Sequence, residues 1–311
     1  MIPPILSVRN LKKVFPGNFC AVDEISFDLA EGEILGLLGS NGAGKTTTIQ
    51  MLLSTLTPTA GSISYFGKSL SIHRSEILKQ VVFASAYANL PWALTIWQNL
   101  NIIGRLYGLS KGKFNANLDR LLDRFGILDK KHLPVASLSA GQITRLMLVK
   151  AFLVEPKIVL LDEPTASLDP DIASEVCSYI LEQRNKNGVS FLFTSHKMDE
   201  VSKACDRTLF LQKGKIIAND KPAALAKSVS GASLHLTSST HLPQITVAAK
   251  EAQILFTIKE SSISLLIAED RIASFLTQLA QNGVQYDAID IQKPTLEDYF
   301  IKLAQENHRC I

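Results

Sequence analysis

Apolar residues fall in short unbroken runs along the first two-thirds of the chain. Glu33-Ile-Leu-Gly-Leu-Leu-Gly39, Ile158–Leu161 and Val189–Phe193 are each of strand length and apolar without alternation. That is the pattern of parallel strands buried on both faces. Helix-compatible segments accompany them: Thr46–Leu56 follows the first run, and a segment from Ser139 to Val154 precedes the second. Strands interleaved with helices predict an α/β fold. After residue 232 the pattern changes. Leu234–Thr237 reads as a strand and Leu242–Lys250 as a short helix. Gln253–Ile258 and Ile263–Ala268 read as strands, Glu269–Gln281 as a periodic helix closed by Asn282-Gly283, and Val284–Ile291 as a last strand. The order β-α-β-β-α-β is ferredoxin-like and predicts a small α+β domain. Thr295 is placed to cap a further helix with Asp298 three residues on.

Charge and glycine content shift at the same place. Residues 1–230 hold 26 Lys and Arg against 20 Asp and Glu, whereas residues 231–311 hold 6 against 9. Gly231 and Gly283 are the only glycines of the second part. With the polar stretch Lys227–Ser233, this predicts two domains, 1–230 and 231–311.

The chain has 311 residues, 46% of them apolar and 20% charged, enough for a sizeable core and too apolar for disorder. A net charge of +3 is no footprint for nucleic acid. Cys20, Cys177, Cys205 and Cys310 form no CxxC pair and read as reduced thiols, not a disulfide frame or zinc site. The apolar runs fall well short of the roughly 20 residues a membrane-spanning helix needs. The start of the chain lacks the basic and long apolar regions of a signal peptide. If this protein works at a membrane, another chain holds it there.

The first apolar run opens into Gly39-Ser40-Asn41-Gly42-Ala43-Gly44-Lys45-Thr46-Thr47, which fits GxxxxGK[ST], the P-loop. Its glycines let backbone N–H groups turn inward around phosphate oxygens. Lys45 then reaches the β- and γ-phosphates, and the Thr46 hydroxyl sits on Mg²⁺. The run Ile158–Leu161 ends in Asp162-Glu163, a buried strand delivering carboxylates to its C-terminal edge, where ligands bind in such sheets. Asp162 is placed to hold Mg²⁺ through water and Glu163 to polarise an attacking water. Between these lies Leu138-Ser139-Ala140-Gly141-Gln142. Ser139 there caps a helix whose free N–H groups and dipole suit a phosphate.

P-loop, LSAGQ, LLDEP, Ser167-Leu168-Asp169 and Thr194-Ser195-His196 follow one another in this order. As a set they resemble the nucleotide-binding domain of ABC (ATP-binding cassette) transporters, over roughly residues 5–225. The resemblance implies a P-loop NTPase cassette with a helical subdomain at about 87–155. It implies that Phe15 stacks on adenine. It further implies that Ser139, Gly141 and Gln142 close over the γ-phosphate of ATP held by an opposite subunit, and that Asp169 lines that dimer interface. His196 would contact the γ-phosphate and orient Glu163. ATP and Mg²⁺ are the implied ligands, and hydrolysis by metal-assisted phosphoryl transfer to water is the implied activity. Glu163, His196 and Lys45 are the expected catalytic residues.

The family carries a glutamine where alignment of this chain puts Ala86, so the resemblance breaks at a metal-contact position. Trp92, Trp97 and Tyr107 lie in the following segment, where the family receives a helix of the membrane subunit; ordinary core packing is the competing reading. The ending Pro294-Thr-Leu-Glu-Asp-Tyr-Phe-Ile-Lys-Leu303 resembles the tail of ATPases that serve ABC-2 exporters. The expected partners are a second nucleotide-binding subunit, as a homodimer, and a separate transmembrane permease. The expected location is peripheral, on the cytoplasmic face of the inner or plasma membrane. The alternatives are a soluble ABC ATPase with no transport role and a subunit that binds ATP but barely hydrolyses it.

Overall fold

A computed structural model of the chain describes residues 3–85, 90–165, 168–195, 198–228, 232–292, 295–297 and 299–300. By its contacts the chain divides into two compact units, Met1–Lys221 and Pro222–Ile311. His196 and Ala86 lie outside the described residues, as does the tail beyond Phe300.

The first unit begins with the antiparallel hairpin β1 (Leu6–Phe15) and β2 (Phe19–Leu29), in which Phe15 pairs with Phe19. The buried strand β3 (Ile34–Leu38) runs through residues 39–44 into helix α1 (Lys45–Leu52). This helix stops before the predicted Leu56. Ser54 takes a left-handed φ of 55°, and the Thr55 hydroxyl donates to the Gln50 carbonyl, so the chain turns away. Strands β4 (Ala60–Tyr65) and β5 (Lys68–Ser69) complete a four-stranded sheet in the order β2-β1-β4-β5. Helix α2 (Leu70–Ile77) leads to β6 (Val81–Ser85).

Three helices follow: α3 (Ile96–Leu106), α4 (Lys111–Arg124) and α5 (Ala140–Leu153). Their starts are written in the sequence. Thr95 and Gln98 form a reciprocal capping box, as do Ser139 and Gln142, and Ser110 caps α4. The chain then returns through β7 (Ile158–Asp162), α6 (Pro170–Asn187), β8 (Ser190–Thr194), α7 (Met198–Ala204) and the antiparallel pair β9 (Arg207–Gln212) and β10 (Lys215–Asp220).

These strands form a six-stranded sheet in the order β10-β9-β3-β8-β7-β6, parallel from β9 to β6. Both sheets and α1 share one core, with Val8 and Phe27 from the first sheet, Ile49 and Met51 from α1, and Leu37, Leu160 and Leu192 from the second. The result matches the predicted α/β class: a buried parallel sheet carries β3, β7 and β8 side by side, so their C-terminal ends reach one edge.

The second unit opens with α8 (Pro222–Lys227), then β11 (Ala232–Thr237), α9 (Leu242–Glu251), β12 (Leu255–Lys259), β13 (Ser262–Ile267), α10 (Glu269–Gln281) and β14 (Ala288–Gln292). Its sheet runs β12-β13-β11-β14, antiparallel throughout. Alternation along β11 and β13 sends Leu234, Leu236, Ile263 and Leu265 into a core shared with Ile245 of α9 and Phe275 of α10. The last strand is shorter than predicted. Val284 is buried and its N–H bonds the Leu279 carbonyl at the end of α10, so pairing with β11 starts only at Ala288.

Candidate functional site

The loop between β3 and α1 is shaped by glycines that no larger residue could replace. Gly39 has φ 152°, and a Cβ there would lie 2.4 Å from the Leu211 carbonyl oxygen and 2.9 Å from Ala43 Cβ. Gly44, the N-cap of α1, has φ 109°, and its Cβ would lie 2.5 Å from the Ala21 carbonyl oxygen. The loop is therefore wedged between β2 and β9, and only bare backbone fits. Gly42 also has positive φ, at 78°, but in open space. Ala43 is buried, Ser40, Asn41 and Thr46 face outward, and Thr47 is half-buried.

Lys45 folds back over this loop, its Nζ donating to the Gly39 carbonyl at 2.6 Å and to the Ser40 carbonyl at 3.2 Å. Burial pushes its ammonium below the ordinary lysine pKa, opposed by the negative charges of Glu163 and Asp162. The sheet register, with Gly36 beside Phe193 and Phe193 beside Leu161, brings the start of the glycine loop and the Asp162-Glu163 pair to the same C-terminal edge.

Asp162 ends β7 and pairs in register with Ser85 on β6 and Thr194 on β8. Thr194 was not selected from the sequence. Its hydroxyl donates to Asp162 Oδ1 at 2.7 Å and accepts the Glu163 N–H at 3.0 Å, while its carbonyl also accepts that N–H at 3.1 Å. Glu163 has a left-handed φ of 50°, a conformation that costs a non-glycine residue of the order of 1–3 kcal/mol and clusters at functional sites. The only sequence signal for Thr194 was its position two residues before His196.

Phe15 ends β1, half-buried, with Lys13 Nζ 5.3 Å from the centre of its ring. Its strand end is tied to the glycine loop through β2. A Cβ on Gly44 or Gly214 would lie 2.5 or 2.9 Å from the Ala21 carbonyl oxygen, and the Gly214 N–H bonds the Ala43 carbonyl.

Ser139, Gly141, Gln142 and Asp169 assemble elsewhere. With Arg145, Leu168 and Ile172 they line an open cleft of about 240 Å³, and no residue of the 39–47 loop lines it. Ser139 N–H donates to Gln142 Oε1 at 3.0 Å, and Gln142 N–H to Ser139 Oγ at 3.3 Å. Asp169 is the N-cap of α6 and exposed, making no side-chain cap bond.

The aromatic segment before and along α3 divides. Trp92 is 75% exposed, with Ile102 and Leu106 also outward. Trp97 is half-buried and stands edge-on to Phe114, centroids 6.5 Å apart.

The oxygen donors at the sheet edge fit Mg²⁺. Thr46 presents a hydroxyl outward at the start of α1, and Asp162 offers a carboxylate whose Oδ1 is already oriented by Thr194. Mg²⁺ favours hard oxygen ligands, few from protein and the rest water.

Residues 22–166 match the family model described as ABC transporter. The chain is 32% identical over 316 residues to the Nod factor export ATP-binding protein I of Ralstonia nicotianae, covering 98% of this chain and 95% of that protein. It is 30% identical over 298 residues to the ABC transporter ATP-binding protein YhaQ of Bacillus subtilis, covering 96% and 98%. Among solved structures it resembles an ATP binding subunit of an ABC transporter, with TM-score 0.68 and 27% identity over 72% of this chain and 92% of that one. It also resembles cbiO1 of Clostridium perfringens, described as part of the ABC transporter complex cbiONQ, with TM-score 0.64 and 25% identity over 79% and 99%.

Proposed function

The chain belongs to the ABC transporter ATP-binding proteins, and we propose that it is the ATP-hydrolysing subunit of an exporter. The observation that carries hydrolysis is the placement of the Lys45 loop and the Asp162-Glu163 pair at one sheet edge by the strand register, the loop being one that only glycine can form. In this reading backbone N–H groups of residues 39–47 hold the phosphates, and Phe15 stacks on adenine. The Lys45 ammonium exchanges its loop carbonyls for phosphate oxygens. Thr46 and Asp162 would hold Mg²⁺, which supplies neutralisation of phosphate charge. Glu163 orients and polarises the attacking water, and His196 contacts the γ-phosphate. Most of the catalytic effect is positioning and fixed charge.

The separate cleft of Ser139, Gly141, Gln142 and Asp169 supports a head-to-tail pair of copies. In that pair each copy's cleft closes over the phosphates held by the other's loop, so ATP joins the copies and hydrolysis releases them. The described residues contain no helix long and apolar enough to cross a membrane. From the likeness to export ATP-binding proteins we assign the pathway to a separate permease, with this subunit peripheral on the cytoplasmic face. The outward Trp92, before α3, and Ile102 and Leu106, along it, supply exposed apolar side chains for that contact. The export assignment leans on a nearly full-length likeness to a Nod factor export ATP-binding protein. The second unit, with strand order β14-β11-β13-β12, is read as a ferredoxin-like accessory domain.

The test is phosphate release by the purified chain with ATP and Mg²⁺, alone and with the membrane protein that co-purifies with it. Glu163→Gln keeps the shape of the side chain but not its basicity. Turnover should vanish while ATP binding persists, and an ATP-bound dimer should accumulate on size exclusion. Near wild-type hydrolysis by that variant would move the base elsewhere. Binding without turnover in the wild type would favour a regulatory subunit.

A further inference from the structure

We propose that Thr194 is a positioning residue whose hydroxyl sets the geometry of both Asp162 and Glu163; its consequence for turnover rests on the ATPase reading above. In the parallel ladder between β7 and β8, Asp162 and Thr194 are register partners, so their side chains leave the sheet together. Thr194 is fully buried. Its hydroxyl has one hydrogen to give and spends it on Asp162 Oδ1 at 2.7 Å, with Leu161 O a distant second at 3.4 Å. Its lone pair accepts the Glu163 N–H at 3.0 Å.

One hydroxyl thus fixes the rotamer of the first carboxylate and, together with the Thr194 carbonyl that accepts the same N–H at 3.1 Å, holds the left-handed backbone from which the second projects. A threonine or serine can do both tasks. A valine fills the same space but loses both hydroxyl bonds, leaving Asp162 without that donor and Glu163 with the carbonyl alone.

A second strut runs parallel to the first. Glu200 on α7 accepts hydrogen bonds from the Thr165 hydroxyl at 2.5 Å and the Ser195 hydroxyl at 3.2 Å. Ser195 follows Thr194, and Thr165 lies two residues beyond Glu163. The loops leaving β7 and β8 are therefore held together on both sides of Glu163. With that outer strut in place, removing the Thr194 hydroxyl should loosen the Asp162–Glu163 pair without releasing the whole loop.

The experiment uses the full chain with Thr194→Val, Thr194→Ala and Thr194→Ser. Phosphate release is measured against ATP concentration, and amide exchange at Glu163 is measured without nucleotide. Displacement of a reacting group by a fraction of an ångström to 1 Å lowers rates by up to about 10²-fold. Thr194→Val should therefore lower kcat by roughly 10- to 100-fold with KM for ATP changed by less than about threefold, and should speed exchange at Glu163. Thr194→Ser should restore both. Thr194→Ala leaves room for a water to bridge the two groups and should fall between; it carries the test if the valine variant does not fold. Unchanged kcat and exchange in the hydroxyl-less variants would overturn the assignment, as would faster exchange with unchanged kcat. A wild-type chain that releases no phosphate would overturn the ATPase reading alone. The exchange comparison would then decide whether Thr194 holds the pair.

Discussion

Lys45 Nζ donates to the carbonyl oxygen of Gly39 at 2.6 Å, so the strongest cation of the loop is bonded to the loop itself. The contact keeps a half-buried ammonium solvated by backbone until phosphate oxygens replace the carbonyls. Lys45→Ala should weaken ATP binding by about 10- to 150-fold, the worth of a charge-assisted contact of roughly 1.5–3 kcal/mol. The pH dependence follows from burial, which lowers the Lys45 pKa from 10.5. Bound phosphate favours the charged form, so affinity should fall as pH rises through that lowered value, before an exposed lysine would titrate. Titration of a fluorescent ATP analogue across alkaline pH checks both, and affinity that stays flat up to pH 10.5 would contradict the assignment.

Gly141 sits in the first turn of α5 with ordinary helical backbone, and a Cβ there would meet only Leu168 Cδ2, at 3.8 Å. Nothing within the described chain requires glycine at this position, unlike Gly39 or Gly44. Gly141→Ala should therefore stabilise the isolated subunit by about 0.5–1 kcal/mol, the helix-propensity difference. In the paired reading the same methyl intrudes between the helix start and a neighbour's phosphate, and turnover should drop. Urea unfolding and phosphate release, measured side by side, should move in opposite directions. Loss of stability with unchanged turnover would place the constraint inside the chain.

Cys205 is buried beneath the glycine loop's strand, its Sγ 3.1 Å from where a Gly36 Cβ would stand. Burial pushes its thiol pKa well above the ordinary range. A raised pKa means less thiolate at any working pH, and the thiolate is the reactive form. In the native chain Cys205 should resist alkylation while Cys20 and Cys177, both partly exposed, react first. Its labelling rate should rise in step with unfolding in urea. Mass spectrometry of the alkylated peptides distinguishes the sites, and native-state labelling of Cys205 at the rate of Cys20 would show that this part of the core opens readily.

The parts of the site that were legible in sequence are those whose chemistry demands a residue type. A phosphate-cradling turn needs Gly39 and Gly44 for steric reasons, and a buried strand ending in Asp162-Glu163 announces itself because carboxylates are costly inside. Ser139 was legible as a helix cap because its hydroxyl suits a free helix N–H, and the structure adds Gln142 as its reciprocal partner. Thr194 was missed because its importance comes from lying opposite Asp162 in the sheet, and β7 and β8 are neighbours only once the strand order is known. Local conformation set the other differences. The left-handed Ser54 ended α1 early, and the burial of Val284 against α10 delayed β14. The two tryptophans looked alike in sequence, yet Trp97 faces Phe114 and Trp92 faces out, because Trp92 precedes the Thr95 cap and lies outside the helix periodicity.

That exposure makes Trp92 the sharpest test of the proposed permease contact. A side chain 75% exposed contributes little to the fold, so Trp92→Ala should change unfolding free energy by less than about 0.5 kcal/mol. Its carbonyl, which accepts the Ala136 N–H at 3.0 Å, survives the substitution and keeps the local turn. An exposed tryptophan is nonetheless the kind of residue that dominates an interface once buried, with losses of about 2 kcal/mol or more on truncation. Basal phosphate release by the isolated subunit should therefore stay near wild type, whereas stimulation by the co-purified membrane protein should fall by about tenfold or more, the equivalent of at least 1.4 kcal/mol. Trp97→Ala is the contrast. It removes a ring packed against Phe114 and should cost stability and both activities together. If Trp92→Ala lowers basal and stimulated turnover equally, Trp92 is not part of a docking surface and the proposed membrane contact must be sought on another face.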